Sequence, residues 1–227
     1  MKVLVVANAH FYKTPDGRYF TPTIYDNKFF QRYLNVFDEV RFVAKTKYVE
    51  KIDKEKYIEV NCSNLEIYEL PWYRGLKGMF KNIFKLFNRY RKASEGCSCI
   101  IYRVSQLESY LTYFFSRKYN KPFALEVIND PETFPNVRGI FKWINVRFLS
   151  HMVKRANGVS YVTKHYLQRK YPCIAILKGE NEEYFYSHYS SIDLENSEIR
   201  EPKKYINIER DFEIIHTANN IVGNIKG

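Results

Sequence analysis

"KVLVVA", residues 2–7, is an unbroken apolar run behind a single lysine. A strand with one wet face would alternate apolar and polar residues. A continuous run means that both faces are covered, as in the middle of a parallel sheet held between helical layers. The residues that follow repeat the theme. "TIYDNKFFQRYLNVF" sets Phe29, Phe30, Tyr33, Leu34 and Phe37 at helical spacing, with Thr23 and Asp26 as a capping-box start, and "EVRFVA" (39–44) is the next strand. Residues 45–56 are charged and aperiodic, a surface connection. Further strands are expected at "LEIYEL" (65–70), "CIIYR" (99–103), "FALEVI" (123–128), "GVSYVT" (158–163) and "CIAILK" (173–178). Helices are expected over 76–92, over "QLESYLTYFFSRKY", over 138–156 and over "KHYLQRKY". Such alternation predicts an α/β fold, a doubly wound and largely parallel Rossmann-like sheet, over residues 1–180. Residues 181–211 read as a polar linker, and 212–227, "FEIIHTANNIVGNIKG", as a strand and loop that open a second, truncated domain.

In this architecture ligands bind beyond the carboxyl ends of the strands, which selects the loops 8–22, 103–106, 128–136, 163–166 and 178–190. None holds G-x-G-x-x-G, a P-loop or a G-x-S-x-G elbow, and the chain has no D-x-D. Those absences exclude the common dinucleotide, Walker-type and hydrolase sites and the paired-carboxylate metal clamp, so no metal is expected. Cys62, Cys97, Cys99 and Cys173 have neither redox nor zinc spacing and read as reduced structural thiols of a cytoplasmic protein. With a strand from residue 2 no leader is expected, and no apolar run approaches a membrane span.

Six loop or strand residues could carry chemistry. His10 follows the first strand and could act as a base or bond a substrate; the alternative is a loop histidine packed under Phe11. Asp130, beyond a central strand, could accept a hydroxyl proton or bond a sugar, or simply cap a turn. Arg103 and Glu126 could face a cleft or form a salt bridge beside the core. Thr163 suits a phosphate or the cap of the next helix, and Gly17 a left-handed turn after Asp16.

The net charge of +11 favours polyanionic partners. No acid lies between Glu69 and Glu95, where Lys77, Lys81, Lys85 and Arg89 accompany a stripe of Leu76, Phe80, Ile83, Phe84, Phe87 and Tyr90. None occurs from Thr133 to Gly179, where Arg138 and Lys142 accompany Phe141, Trp143, Ile144, Phe148 and Met152. Each stretch is either a docking face for anionic lipid or an ordinary helix with its stripe buried and its lysines solvated. Two together favour the membrane, and nucleic acid is not expected, since no binding motif accompanies the charge.

Several segments resemble the N-terminal domain of bacterial family 4-like glycosyltransferases of the two-domain GT-B fold. They are "VLVVANAHF…TIYDNKFFQRYLNVFDEVRFVAK", "FALEVINDPE" with Asn129 in place of a glycine, "GVSYVTKHYLQRKYP", "YSSIDL" and the closing "FEIIHTANNIVGNIKG". The resemblance implies transfer of a sugar from a nucleotide-sugar donor to a hydroxyl acceptor, lipid-linked or saccharide, in cell-surface polysaccharide or glycolipid synthesis. It implies no metal, a cytoplasmic location with room for peripheral attachment to the inner face of the plasma membrane, and a donor site carried mostly by the second domain. His10, Gly17, Arg103, Asp130 and Thr163 would then line the acceptor side, with His10 or Asp130 handling the proton. The alternative is a non-catalytic peripheral-membrane or partner-binding module on the same fold.

Overall fold

The computed structural model describes residues 1–134 and 137–190. Seven strands form a parallel sheet: β1 (Lys2–Lys13), β3 (Glu39–Tyr48), β5 (Leu65–Pro71), β6 (Cys99–Val104), β7 (Phe123–Val127), β8 (Gly158–Tyr161) and β9 (Phe185–His188). Their spatial order is β5-β3-β1-β6-β7-β8-β9. Two short antiparallel strands, β2 (Tyr19–Thr21) and β4 (Ile58–Val60), extend the sheet beside the far end of β1. The helices are α1 (Asn27–Leu34), α2 (Gly75–Lys81), α3 (Ile83–Lys92), α4 (Leu107–Ser116), α5 (Gly139–Val153), α6 (Tyr166–Lys170) and α7 (Ile174–Lys178).

The apolar run that opens the chain occupies the centre, and Val3, Leu4, Val5 and Val6 are fully buried. Val3 and Val5 face α1, whose Phe29, Phe30 and Tyr33 complete one core with Phe11 and Phe42. Leu4 and Val6 face the other layer, where Tyr90, Tyr113, Leu149 and Met152 of α3, α4 and α5 close the larger core. Burying each such side chain stabilises the fold by about 1.5–3 kcal/mol. The sheet is therefore doubly wound, as the alternation requires.

Several local expectations are corrected. "CIAILK" is the short helix α7, with Cys173 and Ala175 buried and Leu177 exposed. A brief apolar run serves a buried helix as well as a strand. The seventh parallel strand is instead β9, inside the stretch expected as linker. The polar loop after residue 7 is largely strand: β1 runs on to Lys13 and turns into β2, and β3 likewise runs to Tyr48. The helix over 76–92 is two helices meeting at Asn82. Asp26 alone caps α1, accepting from the Phe29 amide at 2.8 Å, while the Thr23 hydroxyl bonds Thr21 at 3.0 Å. The strand expected at 212–227 and the linker beyond residue 190 lie outside the described residues.

Candidate functional site

From β1 the chain steps outward to β3 and β5, then returns to β6 on the other side of β1. Strand order reverses between β1 and β6, and there the carboxyl ends diverge into a crevice. The divergence has a local cause. β1 pairs with β6 only through Val3–Val6, and its register with β3 shifts between Val6 and His10. Four residues of β1 span what two residues of β3 span, so the strand bulges at Asn8 and re-aims the side chains around it.

Those side chains form a polar group on the α4 side. Lys45, opposite His10 where the pairing with β1 resumes, donates to Asn8 Oδ1 and to Glu108 Oε1, both at 2.7 Å. Its ammonium also lies 4.6 Å from the centre of the Tyr73 ring. The Tyr73 hydroxyl donates to the same Glu108 oxygen at 2.9 Å. Lys45 is 4 % and Glu108 2 % exposed, so this ion pair is held almost entirely away from water. Glu108 lies in the first turn of α4, where the helix dipole favours a carboxylate. The Tyr73 hydroxyl titrates far above its ordinary value, first through burial and then through the Glu108 charge. Gln106 reaches back across the crevice to accept from the Asn8 amide at 2.5 Å. Four buried polar atoms in this region have no protein partner among the described residues: Glu108 Oε2, Ser105 Oγ, Tyr110 Oη and His10 Nε2. Buried polar groups are rarely left so; water or the polar groups of a ligand are the usual partners.

His10 lies beside this polar group, opposite Lys45 on β3. Its ring meets the edge of Trp72 at 4.9 Å rather than packing under Phe11, which points to the opposite face and the α1 core. Burial, and then the charge of Lys45, lower its pKa below the ordinary 6.5. A neutral imidazole near pH 7 whose buried Nε2 has no protein partner among the described residues can accept a hydrogen bond or a proton once a polar group reaches it.

The other expected residues sit elsewhere. Arg103 projects to the α1 face and pairs with Glu126 at 2.7 Å, the salt-bridge arrangement beside the core. Tyr33 of α1 donates to the same carboxylate at 2.6 Å, and the guanidinium lies 5.0 Å from the Phe29 ring. Asp130 is only 6 % exposed and accepts four hydrogen bonds. The Glu132 amide (2.9 Å) and Tyr171 hydroxyl (2.7 Å) reach Oδ1; Lys170 (2.7 Å) and the Tyr166 hydroxyl (2.8 Å) reach Oδ2. Burial alone would push its carboxyl up, but these donors outweigh it and hold the pKa at about 2. Thr163 lies two residues before the N-cap of α6, accepting from the Leu167 amide of its first turn at 3.0 Å and donating to Gln168 Oε1 at 3.0 Å. Gly17 stands in the β1–β2 turn with φ +83°, beside an Asp16 that pairs with Arg18.

Lys45, Glu108, Tyr73 and Gln106 are the site residues that sequence reasoning passed over. A signal existed: a lysine directly after a strand, and one glutamate in the apolar helix "LESYLTYFFS". Nothing in the sequence joins residues 63 positions apart.

The basic stretches are less ordinary than amphipathic helices with buried stripes. Tyr90 is buried, but Phe80, Phe84 and Phe87 face solvent on the same two helices as Lys77, Lys81 and Lys85. Arg89 is exposed yet tied down, stacking on Tyr68 at 4.5 Å and donating to the Glu69 carbonyl at 2.8 Å. On α5, Ile140, Phe141, Trp143 and Ile144 are exposed while Leu149, Met152 and Val153 are buried. Arg138 is exposed at the N-terminus of that helix and Lys142 half-buried within it. No helix of the described residues is long and apolar enough to cross a membrane. Among them no three His, Cys, Asp or Glu side chains cluster as metal ligands.

The chain is similar to Protein CapJ of Staphylococcus aureus. The two are 29% identical over 157 residues, a stretch covering 66% of this chain and 39% of CapJ. This chain therefore matches well under half the length of that relative. No family model matches. Among solved structures, Arabidopsis thaliana UGT89C1 complexed with UDP-L-rhamnose aligns over 75% of this chain and 44% of its own, at 11% identity and a TM-score of 0.37. A superposition that loose carries no argument about ligand or mechanism.

Proposed function

We propose that this chain is the acceptor-side, Rossmann-like half of a family 4-like GT-B glycosyltransferase. The reaction moves a sugar from a nucleotide-sugar donor to a hydroxyl of a lipid-linked or saccharide acceptor in cell-surface polysaccharide or glycolipid synthesis. The observation that carries this reading is the crevice between β1 and β6, with neutral His10 beside the buried Lys45–Glu108 pair. His10 Nε2 is buried, so the ring would turn outward to meet an acceptor hydroxyl, which would then give up its proton to the imidazole as its oxygen bonds the sugar's anomeric carbon. The bond from that carbon to the leaving nucleoside diphosphate breaks in the same exchange. Of the two proton handlers expected, His10 fits this work better. Asp130 at a pKa of about 2 is a poor base near neutral pH, and its oxygens are occupied. Lys45, Tyr73 and Gln106 would orient the acceptor, and no metal is needed on the acceptor side. The donor diphosphate would be held chiefly by a second domain, opened by residues 212–227.

The exposed aromatic and basic side chains of α2, α3 and α5 support peripheral attachment to an anionic membrane face, where such an acceptor would be met. They also favour the second reading, a non-catalytic membrane module. Saturation-transfer NMR on the chain with a set of soluble glycosides separates the two. Saccharide signals that vanish on His10→Ala support the acceptor site. Their absence with the native chain, alongside retained vesicle binding, favours the module.

A further inference from the structure

The two acid-free stretches are far apart in sequence, yet α4 joins them into one surface. Phe87 of α3 meets Phe115 of α4 at 4.2 Å, and Phe115 meets Phe114 at 5.2 Å. Phe114 lines one wall of a groove of about 480 Å³ whose other wall is α5, through Trp143 and Ile144. Cations border it: Arg117 lies 4.8 Å from the Phe114 ring, Arg147 lies 5.7 Å from the Trp143 ring, and Arg155 closes the end. No acid lines it. His151 sits among these cations, with its Nδ1 3.0 Å from the Arg155 guanidinium. Burial, then Arg155 and Arg117, hold its pKa below the ordinary 6.5. Burial contributes most to that depression, and the two guanidinium charges add to it.

Extending the membrane attachment proposed above, we propose that the α4–α5 groove seats the phosphate of an anionic phospholipid in a bilayer. Arg117, Arg147 and Arg155 meet the phosphate, and Trp143, Ile144 and Phe114 meet the upper acyl chain. Charge complementarity selects this occupant. A wall of exposed aromatic side chains beside guanidiniums, with no acid of the described residues between, suits the boundary between headgroups and hydrocarbon. A protein partner would have to bring a dense acidic patch that also carries a large apolar surface.

The test is co-sedimentation of the whole chain with vesicles of phosphatidylcholine alone or mixed with phosphatidylglycerol. Binding is expected only to the mixed vesicles, with a blue shift of tryptophan emission that is lost in Trp143→Phe. Arg147→Gln/Arg155→Gln, checked for native circular dichroism, should weaken partitioning by roughly fivefold for each cation removed. Lys77→Gln/Lys81→Gln/Lys85→Gln is the comparison. If that triple variant loses vesicle binding while the groove variant binds as the native chain does, membrane attachment stands and the groove is overturned. If the native chain binds no vesicle, both are overturned. Glycerol phosphate added at the lipid's concentration should not displace the chain; displacement would mean that the groove takes free phosphate and not a lipid surface. Glycoside binding at His10 is read separately and is unaffected by any of these results.

Discussion

Asp130→Asn separates an anchor from a catalytic base. The carboxylate is 5 % exposed at its side chain and takes four donors, two on each oxygen. An asparagine keeps one accepting oxygen and turns an amide nitrogen towards the other two donors. Lys170 is 25 % exposed, so its freed charge recovers part of its hydration. The depression of the carboxyl from 3.8 to about 2 corresponds to about 2–3 kcal/mol of stability at pH 7. The expected loss for Asp130→Asn is therefore about 2–4 kcal/mol at pH 7, or roughly 2–4 °C of Tm for each kcal/mol in a chain of this size. The folded pKa is depressed, so this stability is complete above the unfolded value near 4 and fades as pH falls towards 2. Urea unfolding followed by circular dichroism at pH 7 and at about pH 3 should show the gap between the two proteins shrinking on acidification. A gap of equal size at both pH values, or a carboxyl found by NMR to titrate at or above 4, would refute the anchoring role. It would also return Asp130 to the candidates for proton transfer.

Lys45→Met should cost about 3–5 kcal/mol, because it strands Glu108 as a buried charge, and Lys45→Met/Glu108→Leu should recover most of that loss in urea unfolding. A single variant within about 1 kcal/mol of the native chain would mean that water reaches the pair. His10 should titrate below 6.5 by NMR, and its neutral form should favour folding above that pH and progressively less as pH drops through it. A midpoint above 6.5 contradicts the buried placement of Nε2. Gly17→Ala has open space for the new methyl but a left-handed backbone at φ +83°, so a loss of about 1 kcal/mol is expected from strain alone; thermal melts unchanged within error would count against that turn.

The fold was legible because its signal is local. An apolar run such as residues 2–7 reports coverage on both faces without any partner being known, and a helix such as 27–34 shows its buried side by spacing. Six of the seven parallel strands overlap runs visible in the sequence. The seventh was misplaced because five apolar-rich residues fit a turn of helix as well as a strand. The choice between them lay in the crossover that α7 provides from β8 to β9.

The candidate site was legible only in part. Sequence placed His10 and Asp130 beyond strand ends, where a doubly wound sheet collects its ligands, and it marked two acid-free stretches. It could not tell an aspartate that takes a proton from one saturated by Lys170, Tyr166 and Tyr171, because all three donors arrive from a segment about forty residues later. Nor could it bring Lys45 to Glu108, or set Phe87 against Phe115 so that separate helices share one exposed face. Periodicity records which side of an element is dry, a property of neighbours along the chain. Protonation, pairing and surface continuity depend on which elements the sheet order sets side by side. In this protein that order was decided by long-range packing around β1.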